Sequence, residues 1–193
     1  MKQAWLQIFP TVLNIQYFRT TADSFNHVCY MQSPMKSPGA LPFEMVDVSL
    51  CSHIIMGFAT VGDDYRVNLN PIGGHEAHTS FAELRKQKPS LKLMISVGGR
   101  GDDRNFKMMA STESNRKRFI ESIQWELNRY QFHGMDFDWE VPEVFDTEKL
   151  LTLIEDISDE FKRNPGYPLI FSVAVPATIP VVLKRYHVRN ITK

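Results

Sequence analysis

Asp136, Asp138 and Glu140 stand two residues apart in Gly134-Met135-Asp136-Phe137-Asp138-Trp139-Glu140. Side chains on a β-strand alternate between faces, so this spacing aims three carboxylates one way. Met135, Phe137 and Trp139 then point the other way, into an apolar layer. Crowded like charges oppose one another's ionisation. At least one of the three should therefore hold a proton near neutral pH, as a general acid must. Two other readings apply to the same residues. Acidic alternation also marks an ordinary strand with one solvated face, and clustered carboxylates at strand ends suit Mg²⁺ or Ca²⁺. The bulk of the opposite face and the following Val141-Pro142 weigh against the solvated strand.

The elements that must position these residues alternate along the chain. Short apolar runs of strand length occupy residues 27–31, 52–61, 91–97, 132–139 and 169–175. The run from Ser52 to Val61 is nearly continuous, as in a strand buried on both faces of a parallel sheet. Helical patterns fall between the runs. Residues 80–88 predict a short helix. Residues 114–130 carry Phe119, Ile120, Ile123, Leu127 and Tyr130 on one face, with Trp125 off that stripe and unassigned. Residues 146–163 repeat the pattern with Leu150, Leu153, Ile154, Ile157 and Phe161, and Asp146 is the expected N-cap. The loop from Gln32 to Pro42 holds Pro34, Pro38, Gly39 and Pro42. Strands alternating with long crossovers imply a parallel α/β sheet wrapped by helices. An open doubly wound sheet and a (β/α)₈ barrel both begin this way. No glycine-rich loop follows the first strand, which argues against a dinucleotide fold.

Composition narrows the class. The chain has 193 residues, enough for one domain with a sizeable core. Lys plus Arg and Asp plus Glu number 22 each, so no charge excess points to nucleic acid or an anionic membrane surface. No long apolar run predicts a membrane span. Residues 1–26 read as a lead-in, either a poor secretory signal, a substitute N-terminus or a disordered stretch, because Gln7, Pro10, Asn14 and Gln16 interrupt Trp5, Leu6, Ile8 and Phe9. Two cysteines, Cys29 and Cys51, read from their number alone as buried free thiols.

Taken together, Ser96-Val97-Gly98-Gly99 and the acidic strand resemble glycoside hydrolase family 18, the chitinases and chitinase-like lectins built on a TIM barrel. Cys29-Tyr30, Cys51-Ser52-His53-Ile54-Ile55, Gly57-Phe58-Ala59 and Val173-Ala174-Val175-Pro176 extend the resemblance from about residue 27 to the C-terminus. The resemblance implies an incomplete (β/α)₈ barrel of about five strands over residues 27–193. It implies Glu140 as the acid that protonates the leaving glycosidic oxygen, and Asp138 as the residue that orients the substrate's 2-acetamido group. That group's carbonyl oxygen attacks the anomeric carbon, so configuration is retained without a carboxylate nucleophile. Asp136 would share a proton with Asp138. Tyr30, Phe58, Gly98, Gly99 and Trp139 are the implied sugar-binding residues. The partner is chitin or chitooligosaccharides, no cofactor or metal is implied, and the implied location is extracellular. Cys29 and Cys51 would form a disulfide, which fits an oxidising compartment. The sequence carries no signal for oligomeric state.

Departures from the family pattern carry their own expectations. His133 replaces the first aspartate of the signature. By parity it faces away from the carboxylates at the lower end of the strand, which predicts a structural role. Arg100 stands where chitinases commonly have a tryptophan, and Val141 where a tyrosine is common. A TIM barrel typically needs about 250 residues. The chain ends just past its fifth strand, and residues expected on the sixth and eighth strands have no counterpart. A truncated product, isoform or fragment is therefore expected, with unpaired sheet edges. A non-catalytic chitin-binding lectin and an inactive truncated isoform are the other functional readings, although such lectins usually lose the acid at the Glu140 position. Three small motifs carry little. Arg100-Gly101-Asp102 reads as a chance tripeptide. His75-Glu76-Ala77-His78 lacks zinc-protease spacing and reads as a polar loop. Asn190-Ile191-Thr192 is a glycosylation sequon only in a secreted chain.

Overall fold

A computed structural model describes residues 4–7, 25–33, 39, 41–101, 103–164 and 168–191. Pro34, Pro38, Asp102, Thr192 and most of the lead-in lie outside them. The strands are β1 (Ala4–Gln7), β2 (Val28–Gln32), β3 (His53–Val61), β4 (Val67–Asn68), β5 (Lys92–Arg100), β6 (Gly134–Glu140) and β7 (Ile170–Ala174). Six of them form one parallel sheet in the order β1-β7-β6-β5-β3-β2, and β4 adds antiparallel to β3. The five strands expected from apolar runs are β2, β3, β5, β6 and β7. The other two were not anticipated. Ala4–Gln7, read as lead-in, runs parallel to Phe171–Ala174 and covers that edge of the sheet.

The longer helices are α1 (Gly74–Glu83), α2 (Arg104–Ala110), α3 (Glu113–Tyr130) and α4 (Thr147–Lys162). They pack on one sheet face. Ile54, Met56, Leu93, Ile95, Val97, Met135, Phe137, Trp139, Phe171 and Val173 meet them there in one apolar core. The α3 stripe of Phe119, Ile120, Ile123 and Leu127 faces the same core. Thr112 caps α3 by accepting the Asn115 N–H at 3.2 Å, which satisfies an otherwise orphan donor. Arg116 joins α3 to α4 by pairing with Asp156 at 2.6 Å. Trp125 is exposed, with the Arg129 guanidinium 4.9 Å from its ring centroid.

Two local expectations are corrected. His75-Glu76-Ala77-His78 is not a loop but the start of α1. His78 must be buried there to complete the apolar face, and its ring packs 5.0 Å from that of Tyr130. Burial drives its pKa down to about 4 and keeps it neutral. Among the described residues no group of three or more His, Cys, Asp or Glu could hold a metal ion. Asp146 precedes α4 but makes no cap hydrogen bond. Its carboxylate is buried and pairs instead with Lys149 at 2.9 Å, an ion pair one turn into the helix.

Cys29 and Cys51 are bridged, with Cα atoms 6.0 Å apart. Cys29 lies on β2, which among the described residues pairs only with β3, and Cys51 lies two residues before β3. The bridge thus fastens an edge strand to its neighbour. Cross-linking residues 22 apart lowers unfolded-chain entropy, worth about 3 kcal/mol in the loop-entropy account. Reduction is therefore expected to lower unfolding stability by about that amount in denaturant titrations with and without reductant. Two free thiols by mass analysis of the oxidised protein, or superimposable titrations, would contradict the pairing.

Candidate active site

The sheet face away from the helices carries the carboxylates. β6 pairs with β5 so that Ser96 is opposite Asp136, Gly98 opposite Asp138 and Arg100 opposite Glu140. On its other side, β6 pairs with β7 so that Ser172 is opposite Asp136. Three parallel strands therefore line up serine, aspartate and serine. Ser96 Oγ donates to Asp136 Oδ2 at 2.7 Å, and Ser172 Oγ donates to Oδ1 at 2.6 Å. Tyr30, from β2, donates its hydroxyl to Oδ2 at 3.0 Å. Asp136 is fully buried. Burial raises its pKa, and the Ser172, Ser96 and Tyr30 hydrogen bonds oppose that rise. Burial, with Asp136 beside it, pushes the Tyr30 phenol far above its ordinary value, so Tyr30 remains a donor.

Asp138 sits one step nearer the C-terminal rim and is only 1% exposed. Neither carboxyl oxygen has a hydrogen-bond partner among the described residues. Burial first, then the charges of Asp136 and Glu140, raise its pKa to about 8. A buried carboxyl with no donor to satisfy it is costly as an anion. The proton that crowding demands therefore resides on Asp138. Glu140 ends the strand at the rim, partly exposed, where C-terminal strand ends form the active face of a barrel.

Gly98 and Gly99 have a steric reason to be glycine. Gly98 lies at φ +127°, and a Cβ there would strike the Asp138 carbonyl. Gly99 lies at φ +80°, and a Cβ there would come within 2.9 Å of the Phe58 ring. The two glycines let β5 press against the acidic strand and let Phe58 lie over its end. The sugar-binding expectation for Trp139 is corrected. Its side chain is on the helix face, 1% exposed and stacked on Phe106 at 5.6 Å between centroids. Strand alternation puts it opposite Asp138 and Glu140, so it supports the strand from behind. His133 is also away from the carboxylates. Its Nδ1 accepts the Leu93 N–H at 3.1 Å while the Leu93 carbonyl accepts the His133 N–H at 2.7 Å. Burial, with Lys92 and Arg85 nearby, lowers its pKa to about 4, which preserves the neutral ring that this bond needs.

Ser172 and Tyr186 were missed from sequence. Ser172 had a readable signal, since it lies mid-strand in an otherwise apolar run. Tyr186 had none. Its hydroxyl donates to the Trp139 carbonyl at 2.7 Å from a turn remote in sequence.

A parallel half-barrel with a buried carboxylate ladder ending in a rim glutamate matches known proteins. The family described as Glycosyl hydrolases family 18 matches residues 26–193, and the chain belongs to it. It is 30% identical over 177 residues to an endochitinase of Manduca sexta, covering 83% of this chain and 32% of that protein. It is 25% identical over 178 residues to Chitinase-3-like protein 2 of Homo sapiens, covering 88% of this chain and 45% of that one. The crystal structure of an immunomodulatory active chitinase from Trichuris suis superposes with a TM-score of 0.79 at 30% identity, covering 87% of this chain and 48% of that one. The chain thus spans about a third to a half of the length of these relatives.

The Asp138 geometry has a stability consequence. Its folded pKa of about 8 lies above the ordinary 3.8, so the folded state favours the protonated form. The favourable contribution is complete below about pH 4 and is lost as pH rises toward 8. Asp138→Asn carries no charge to bury. Its stability relative to wild type is expected to improve by a few kcal/mol between pH 4 and pH 8, read by denaturant titration at each pH. A difference independent of pH would contradict the buried, proton-bearing assignment.

Proposed function

We propose that the chain acts on β-1,4-linked N-acetylglucosamine polymers by substrate-assisted, retaining hydrolysis. Glu140, at the rim, donates a proton to the leaving glycosidic oxygen, taking it up from the Asp138 carboxyl on the same strand face. Asp138 holds the 2-acetamido group so that its carbonyl oxygen reaches the anomeric carbon. Asp136, fixed by Ser96, Ser172 and Tyr30, is the charge against which Asp138 keeps its proton. Tyr30, Phe58 and the Gly98-Gly99 pair at the end of β5 form the floor beneath the sugar. The observation that carries this reading is the pair of buried Asp138 oxygens that have no partner among the described residues. No described residue supplies them with a polar partner, and an acetamido N–H would. The names of the Manduca sexta and Trichuris suis relatives, both chitinases, support the substrate class. The disulfide supports an extracellular setting. No helix among the described residues is long and apolar enough to cross a membrane.

A second reading is oligosaccharide binding without turnover. Arg100 favours it, because an exposed guanidinium beside Glu140 in register replaces an aromatic stacking surface. A fluorogenic chitobioside assay with parallel retention on chitin beads separates the readings. Release by the wild type that falls roughly 10²–10⁴-fold in Glu140→Gln is expected for hydrolysis. Retention on beads with no release by either form would replace the hydrolase with the lectin. Neither retention nor release would overturn both.

A further inference from the structure

β7 stops pairing with β6 before β6 ends. Their register runs from Gly134 opposite Ile170 to Phe137 opposite Val173, whereas β5 pairs with β6 as far as Glu140. Among the described residues, Asp138, Trp139 and Glu140 thus lack a strand neighbour on one side. The gap falls at the residues whose placement matters most to the proposed chemistry. The segment after β7 returns to this gap through a π-helical turn, Val182–Tyr186. Tyr186 is fully buried, and its hydroxyl donates to the Trp139 carbonyl at 2.7 Å. Arg185 donates from Nη1 to the Pro142 carbonyl at 3.2 Å and pairs with Glu143 at 3.6 Å. Thr147 closes the loop by donating its hydroxyl to the Arg185 carbonyl at 3.2 Å. A π turn is a costly local geometry that recurs at functional sites.

We propose that Tyr186 is a positioning residue that replaces the missing ladder bond at the rim of β6, with Arg185 fastening the loop beyond it, so that the end bearing Asp138 and Glu140 is held rigid and dry. This rests on the reading that those two carboxyls do the chemistry. Tyr186 touches no substrate in this account and acts through the Trp139 carbonyl. Its own phenol is pushed up by burial and by the nearby Asp138 and Glu140, so it stays a donor over the working pH range. Without it, that carbonyl would need water, and water admitted there would solvate Asp138 as well. The titratable groups facing Asp138 are Asp136 and Glu140 on its own strand, Tyr30 on β2 and Tyr186, so removal of the Tyr186 hydroxyl leaves the acidic neighbours and Tyr30 in place.

Carboxyl ¹³C NMR titration of the whole chain tests this without any need for turnover, so its outcome is independent of whether Glu140 proves to be the acid. In Tyr186→Phe, the Asp138 midpoint is expected to fall by about one pH unit relative to wild type. Asp136, held by its three hydroxyl donors, is expected to stay put. Arg185→Ala should shift Asp138 the same way by a smaller amount. A purely structural role would lower stability and leave the Asp138 curve in place. A folded Tyr186→Phe whose Asp138 midpoint stays within roughly 0.2 unit of wild type would overturn the proposal. If Tyr186→Phe does not fold, an unchanged Asp138 curve in Arg185→Ala would overturn it instead.

Discussion

Burial of two aspartates on adjacent inward positions of one strand is the constraint on which the rest of the structure depends. Two carboxyls two residues apart, both almost wholly withdrawn from water, cannot both be ionised cheaply. The protein resolves the conflict by unequal treatment. Asp136 receives three hydroxyl donors from three different strands. Asp138 receives none among the described residues and carries the proton. The register of the sheet makes this division possible, since Ser96 and Ser172 flank Asp136 directly while Gly98 lies beside Asp138. Serine in the Gly98 position would collide with the Asp138 carbonyl before it could donate anything.

The apolar face of the same strand is what holds the arrangement in place. Phe137 and Trp139 pack against Phe106 and Phe119 from α2 and α3. Slipping β6 by one residue would exchange the carboxylates with these rings. The cost of burying charged groups among helices, together with the loss of several fully buried aromatic side chains at about 2 kcal/mol or more each, excludes that register. His133 and Leu93 exchange hydrogen bonds at the lower end of the strand, and Tyr186 bonds the Trp139 carbonyl at its upper end. The acidic strand is therefore fixed along its length by packing and at both ends by side chains.

Much of this was legible in the sequence because it depends on period and residue type. The two-residue spacing of Asp136, Asp138 and Glu140 fixed their common face, and the buried runs located the strands of the parallel sheet. Gly98 and Gly99 read only as sugar-binding residues by resemblance, and the close approach that requires them was not anticipated. Other features depend on partners that no local pattern names. The cysteine pairing followed only from resemblance. The placement of Trp139 was available from alternation, yet resemblance to sugar-binding positions obscured it. His75 to His78 read as a polar loop because the apolar face of α1 is thin, and burial of a histidine against Tyr130 has no sequence mark. Tyr186 was invisible for the same reason: its partner is a backbone carbonyl 47 residues away.

The proton forced on the acidic strand by crowding and burial rests on Asp138, and this assignment is open to direct measurement. It is tested most directly by following the Asp138 carboxyl carbon of the wild-type protein by NMR as pH is raised. The expected midpoint is near 8, far above the usual carboxylate range. A midpoint near 4 would mean that Asp138 is solvated or paired, and the division of roles between the two aspartates would fail.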